Sequence, residues 1–300
     1  MSLTQDIRDA FARRDNALNQ LLILNGLVFA VLAVLYAIAF LTQGGEWFAG
    51  VMRQVELSTN LPTVARHPWT VLTYAFAHLN PFHILFNLLN LYWFGQLVRE
   101  YLGGRRLVSI YILGGLAGAM VVLLAYNLLP ALQPAAAVGA SVIGASASVI
   151  AIIVAGATLL PDYTFMLFIV GPVKIKWIAV ALVLISVATV SSNTAGEIAH
   201  LGGALLGFVY IKQLKAGRDM GRPVQAVGGW LGQLFAHRPA MKVTHRTPVT
   251  TGRATASGKA AATVSTPPED VDAILDKISR SGYESLSKEE KQKLFRASQQ

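Results

Sequence analysis

The chain has 300 residues, of which 54% are hydrophobic and only 14% charged, with no cysteine and a formal net charge of +9. Soluble domains carry about a quarter charged residues, so this composition excludes an ordinary soluble protein, and its apolar content excludes disorder over most of the length. The absence of cysteine excludes a disulfide scaffold, thiolate metal sites and a cysteine nucleophile. A basic excess points to nucleic acid only where it gathers on a soluble surface. Here fifteen of the 25 basic and eight of the 16 acidic residues lie from Lys212 onward. Most of the excess is therefore a tail suited to setting topology and touching anionic lipid, and a nucleic-acid partner has no support.

The first apolar stretch runs from Leu21 to Leu41. Arg13 and Arg14 precede it and Ala37-Ile38-Ala39 stands near its end, as in a signal peptide, but the run exceeds an h-region of about 7 to 15 residues. It reads as a retained first helix. The loop from Gln43 to Trp69 carries Trp47, Phe48, Val51 and Met52, which suits either an amphipathic piece in the outer interface or a plain connection. A second span covers about Phe82 to Val98. The 55 positions from Leu107 to Pro161 hold no charge, room for two spans of about 20 residues and a connection. Trp177 to Val190 and Ile198 to Ile211 complete six. The expected fold is all-α, a polytopic six-transmembrane-helix bundle.

Arg8, Arg13 and Arg14 precede helix one, Arg99, Arg105 and Arg106 follow helix two, and Lys174 and Lys176 follow helix four. With the basic tail, these segments are expected to face the cytoplasm, giving a multi-pass protein of the cell (inner or plasma) membrane with both termini inside. Helices two, four and six then descend from the outer face. Beyond them, Trp230, Leu231, Leu234 and Phe235 suit a short interfacial helix, and a Pro/Thr/Ala/Ser-rich linker runs to about Pro267. Val271, Ile274, Leu275 and Ile278 fall at helical spacing, Gly282 suits a helix end, and Ser287 with Glu290 makes a capping box before Leu294 and Phe295. The expected organisation is a cytoplasmic segment 1–20, a membrane domain 21–213, a basic linker 214–268 and a small cytoplasmic helical hairpin 269–300.

Polar groups inside spans are costly and so are functional candidates. His83 and Asn87 share one face of helix two at i, i+4 spacing. Ser146 sits in Gly144-Ala145-Ser146-Ala147 of helix four. His200 precedes the small pair Gly203 and Gly207 of helix six, which suits tight packing against such a helix. At about 1.5 Å per residue, counted from the first inner-side charge, Ser146 and His83 lie about 24 Å up and Asn87 and His200 about 18 Å up. All four fall in the outer half of a core about 30 Å thick. Ser141, counted the same way, reaches the outer headgroup boundary, and Ser148 faces about 200° around the helix from Ser146. Ser146 and His200 supply a nucleophile and its base, while His83 and Asn87 supply donors for a developing oxyanion. Glu197, the only nearby carboxylate, sits a turn toward the surface. A Ser-His dyad oriented by packing is therefore expected.

His78-Leu-Asn-Pro-Phe-His83-Ile-Leu-Phe-Asn87, then Gly95 and Gly103, Gly144-Ala-Ser146, and Ala199-His200-Leu-Gly-Gly203-Ala-Leu-Leu-Gly207 resemble, in order, the motifs of rhomboid intramembrane serine proteases. The resemblance covers about Pro68 to Tyr210. It implies Ser146 as nucleophile, His200 as general base, His83 and Asn87 at the oxyanion, no cofactor or metal, and membrane-spanning protein substrates. It also implies a short central fourth helix. Ala147 stands where the family usually has Gly after the serine, Ile150 where a Tyr often stacks on the histidine, Trp69-Thr70 where Trp-Arg is frequent, and Arg99-Glu100 shifts an acidic position by one. Ala147 and Ile150 leave the alternative of a catalytically inactive rhomboid-like protein that binds or escorts membrane clients, and the intramembrane His and Asn residues that of a transporter with a polar relay, whose usual broken helices are not seen.

Overall fold

The computed structural model describes residues 16–167, 170–235 and 268–297. The segment 1–15 with Arg8, Arg13 and Arg14, the Pro/Thr/Ala/Ser-rich stretch 236–267, and the side chains of Leu231, Leu234 and Phe235 lie outside the described residues. Helix α1 (Ala17–Leu41) leads into a first loop carrying α2 (Gly45–Met52), strand β1 (Leu57–Ser58), α3 (Leu61–Arg66), α4 (Thr70–Thr73) and a 3-10 turn at Tyr74–Phe76. The loop is thus folded on the bundle: Phe48 and Met52 are buried against Leu32 and Ala39 of α1, and the Trp69 indole donates to the Gln54 carbonyl at 2.9 Å.

Two long helices follow, α5 (Pro81–Leu102) and α6 (Gly104–Leu128). Asn80 caps α5 by accepting from the His83 N–H at 3.0 Å, and Pro81 supplies a preset φ at the first helical position. Gly103, at φ +82°, ends α5 and turns the chain into α6. A short α7 (Gln133–Ala137) and strand β2 (Ser141–Val142) then lead to α8 (Ser146–Leu159). Strand β2 pairs antiparallel with β1, Leu57 opposite Val142 and Ser58 opposite Ser141. The helical count that put Ser141 at the headgroup boundary therefore does not apply, because positive φ at Gly139 and Gly144 breaks the helix before Ser146. After α8 a hairpin of β3 (Thr164–Leu167) and β4 (Gly171–Lys174) connects to α9 (Ile175–Ala188), then α10 (Thr194–Lys215) and α11 (Arg222–Phe235). At the foot of this hairpin Lys176 and Lys174 bond Asp162 at 2.8 and 3.0 Å and hold its carboxyl at about 2.

The bundle is α1, α5, α6, α8, α9 and α10. Among the described residues α1, α6 and α10 are long and apolar enough to cross a bilayer by length and composition. Helix α8 is different. It is apolar on every side and almost wholly buried, the signature of a central helix. Its 14 residues span about 21 Å, short of a core of about 30 Å.

Small residues set the packing around α8. A Cβ at Gly203 or Gly207 of α10 would strike the carbonyl oxygens of Ala147 and Ala151 respectively, so the two backbones are in contact. On the other side, a Cβ at Gly118 of α6 would stand 2.8 Å from that of Ala147, and α10 returns to α6 where Gly202 faces the Ala117 carbonyl. Buried hydrogen bonds fix the remaining segments. Tyr74 donates to the Gly115 carbonyl at 2.7 Å, Tyr111 to the Ala75 carbonyl at 2.7 Å, and Asn25 of α1 to Tyr111 at 3.0 Å. Residues 74–77 are thereby pinned to α6.

The C-terminal unit, spanning 239–300, contains α12 (Pro268–Ser281), a 3-10 turn at Tyr283–Ser285 and α13 (Lys288–Ala297). Gly282, at φ +78°, ends α12. Ser287 and Glu290 form the reciprocal capping box: the Ser287 N–H donates to the Glu290 carboxylate at 2.7 Å, and the Glu290 N–H to Ser287 Oγ at 3.3 Å. The Ser287 N–H and Lys277 hold the Glu290 carboxyl at about 2. Ile274 and Leu286 form the buried seam.

Gly207→Ala should destabilise the protein by up to about 2 kcal/mol in detergent thermal unfolding. The added methyl gains about 1 kcal/mol of helix propensity, but it meets backbone rather than a movable side chain, at an overpacking cost of about 1 to 3 kcal/mol. Gly228→Ala on α11, where a Cβ meets nothing within 4 Å, should be neutral or stabilising. Ser287→Ala should cost α13 about 1 kcal/mol, read as faster amide hydrogen exchange in its first turn.

Candidate active site

Ser146 is the first residue of α8. Its own N–H and those of Ala147 and Ser148 belong to the first turn, where no carbonyl of the helix can accept them. The approach is held rigidly: the Gly144 N–H donates to the Tyr74 carbonyl at 2.9 Å, and the Ala145 N–H to His78 Nε2 at 3.2 Å. Residues 74–78 therefore carry their anchoring on α6 directly to the serine. His78 was legible in the sequence only as part of a motif, and its fully buried ring acts here on the backbone.

The hydroxyl of Ser146 lies 2.7 Å from His200 Nε2, across 54 residues of chain. The other ring nitrogen, Nδ1, is 2.9 Å from Glu197 Oε2 and 3.0 Å from Ser186 Oγ. The tautomer that satisfies these contacts carries its proton on Nδ1, donates it to the carboxylate, and leaves Nε2 to accept the serine proton. The expectation that no carboxylate reaches His200 is therefore corrected. Glu197 and His200 are i, i+3 neighbours on one face of α10, and helical side chains lean toward the N-terminus, so the histidine reaches up to the glutamate. Ser186 of α9 gave no signal in sequence, since its contact depends on how two helices are set side by side.

His83 and Asn87 occupy the same corner. A Cβ on Gly144 would stand 2.7 Å from His83 Cε1, so the missing side chain is what admits the imidazole beside the turn preceding Ser146. Asn87 is buried and donates one amide hydrogen to the His83 carbonyl at 2.9 Å, leaving the second hydrogen of the same nitrogen. Ser148 is fully buried on another side of α8, facing Gly115 of α6, and Ser141 lies in strand β2. The two departures beside the serine have local explanations. The methyl of Ala147 is taken up by Gly118 on α6, and the contacts of Glu197 and Ser186 orient the ring that Ile150 cannot. Among the described residues no group of three or more His, Asp or Glu side chains is placed to hold a metal.

A half-buried serine–histidine pair on two packed helices of a polytopic bundle defines the class. The Rhomboid domain family matches residues 65–216, and the chain belongs to that family. It is similar to "RHOMBOID-like protein 12, mitochondrial" of Arabidopsis thaliana, 30% identical over 160 residues covering 50% of this chain and 47% of that protein. It is also similar to "Rhomboid protein 1, mitochondrial" of Saccharomyces cerevisiae, 27% identical over 217 residues covering 68% and 58%. The matched stretches thus span about half the length of these relatives. Residues 267–300 match a separate family of unknown function, DUF6576.

Loss of the Glu197 carboxylate should slow covalent labelling of Ser146 by a fluorophosphonate. Glu197→Ala should lower the rate at least about tenfold, roughly 1.4 kcal/mol of barrier. Glu197→Gln, whose amide oxygen still accepts from Nδ1, should recover part of it.

Proposed function

We propose that the chain is an intramembrane serine endopeptidase acting on membrane-spanning proteins. The observation that carries this reading is the 2.7 Å contact between Ser146 Oγ and His200 Nε2. As Oγ bonds to the scissile carbonyl carbon, its proton passes to Nε2, and the carbonyl electron pair becomes an oxyanion. The Ser146 N–H, His83 and the remaining Asn87 amide hydrogen are the donors for that charge. Collapse breaks the C–N bond and returns the Nε2 proton to the leaving amine. Water then attacks the ester carbon and gives its proton to Nε2; collapse breaks the C–Oγ bond, Oγ takes the Nε2 proton back, and the carboxylic acid product leaves. Glu197 keeps the ring in the accepting tautomer and stabilises the imidazolium, so the dyad acts with a carboxylate behind it.

The membrane domain, read as 21–213, carries this chemistry. The basic tail, its linker and the hairpin 269–300 lie on the cytoplasmic side of a cell membrane in this reading, on the strength of the Lys/Arg distribution. The site then opens in the outer half of the bilayer.

Purified protein in liposomes should cleave a single-span model substrate, and Ser146→Ala or His200→Ala should lower cleavage by about 10² to 10⁴. Asn87→Ala should cost up to about 10² to 10³, the scale of one oxyanion donor. Full cleavage by Ser146→Ala would overturn the proposal. Co-purification of an uncut client with wild-type protein would favour the escort reading instead.

A further inference from the structure

At the end of the bundle opposite Ser146, an open cleft of about 1010 Å³ lies among the start of α1, the α5–α6 turn and α11, lined by Gln20, Leu102, Arg105, Arg106 and Gln225. A second hollow of about 540 Å³ shares Gln20, Arg105 and Gln225 and continues along Val108 and Val224. Gln20, Arg105 and Gln225 line both hollows, and Val108 and Val224 add an aliphatic wall to the second. Arg106 is already matched: its Nε bonds Asp219 Oδ2 at 3.0 Å, and Asp219 also accepts from Tyr210 at 3.1 Å and from the Gly221 N–H at 2.8 Å. This cluster straps the start of α11 to α6 and α10, and Gln225 reaches Ser109 of α6 at 3.5 Å. Arg105 has no ion pair among the described residues and is exposed beside the cleft.

The setting is the bilayer boundary. The cleft lies at the end of the spans where Arg99, Lys212 and Lys215 appear, and Tyr101 beside it is half exposed, as aromatic residues at membrane interfaces are. Helix α11 shows Val227 and Trp230 outward, at 57% and 61% exposure, the face of a helix lying in the interface. We propose that this trough binds an anionic phospholipid. The phosphodiester would sit against Arg105 with Gln225 as an amide donor, and an acyl chain would run along Val108 and Val224. One unmatched guanidinium suits a group with a single negative charge, and the apolar continuation distinguishes a lipid from free phosphate. The inference is independent of whether the chain is a protease.

The test uses the full chain in nanodiscs of phosphatidylcholine with a small fraction of phosphatidylglycerol, with retained lipid counted by native mass spectrometry. Wild type should retain phosphatidylglycerol over phosphatidylcholine at least about fivefold, and Arg105→Gln should lose that preference while Arg218→Gln keeps it. Gly228→Leu, which narrows the trough without changing charge, should also lose it, so the result does not depend on one variant's folding. Equal loss in Arg105→Gln and Arg218→Gln, or no preference in wild type, would overturn the proposal. Displacement of the lipid by millimolar inorganic phosphate would overturn it in favour of a free-anion site.

Discussion

The close approach of α8 to its neighbours is the constraint on which the rest of the structure depends. In a bilayer there is little hydrophobic gain in bringing apolar helices together, so contact must come from fit. Gly203 and Gly207 remove the side chains that would separate α10 from the Ala147 and Ala151 backbone, and Gly118 makes room for the Ala147 methyl on α6. With the helices at that spacing, a serine on one and a histidine on the other meet at hydrogen-bond distance. The same fit explains how a helix too short to cross the membrane is held within it. Helix α8 is enclosed by the longer α5, α6 and α10 and by α9, which likewise has 14 residues.

Much of this was legible in the sequence because the signals were of the kind a membrane enforces. The uncharged run from Leu107 to Pro161, the small pair Gly203 and Gly207, and the polar groups His83, Asn87, Ser146 and His200 stand out against apolar surroundings. The capping box of Ser287 and Glu290 was legible for another reason: it is local, and both partners lie within one turn. Glu197 was misjudged because depth was counted along the helix axis alone. Axial distance of a turn looks like separation, whereas on a helix it is adjacency on one face. The strands β1 and β2 carry too few residues for an alternating pattern, and the hairpin of β3 and β4 sits where apolar content read simply as a helix connection. Ser186 and His78 act through contacts between distant segments, which spacing in one chain cannot encode.

Polar groups in this protein divide into two layers with different roles. Tyr74, Tyr111 and Asn25 spend their hydrogen bonds on backbone carbonyls and on each other, and so fix residues 74–78 against α6 and α1. His78 passes that fixation to the turn before Ser146. His200 and Glu197 instead leave one contact, at Nε2, pointing at a group able to react. A network that rigidifies thus stands behind the hydrogen-bonded Ser146–His200 pair.

The position of Ser146 at the very start of α8 has a consequence for how the chain can change length. Upstream, strand β2 and the bonds of Gly144 and Ala145 to Tyr74 and His78 hold residues 141–145 in place, so an insertion among them would displace the serine. Downstream, one residue added between Ser146 and Ala147 would turn the serine by about 100° relative to the alanine face seated on α10. The hydroxyl would then look away from His200 although every helix remained in place. The direction of the Ser146 hydroxyl is therefore fixed by angular phase from below and by strand pairing and hydrogen bonds from above, so neither side can change length freely.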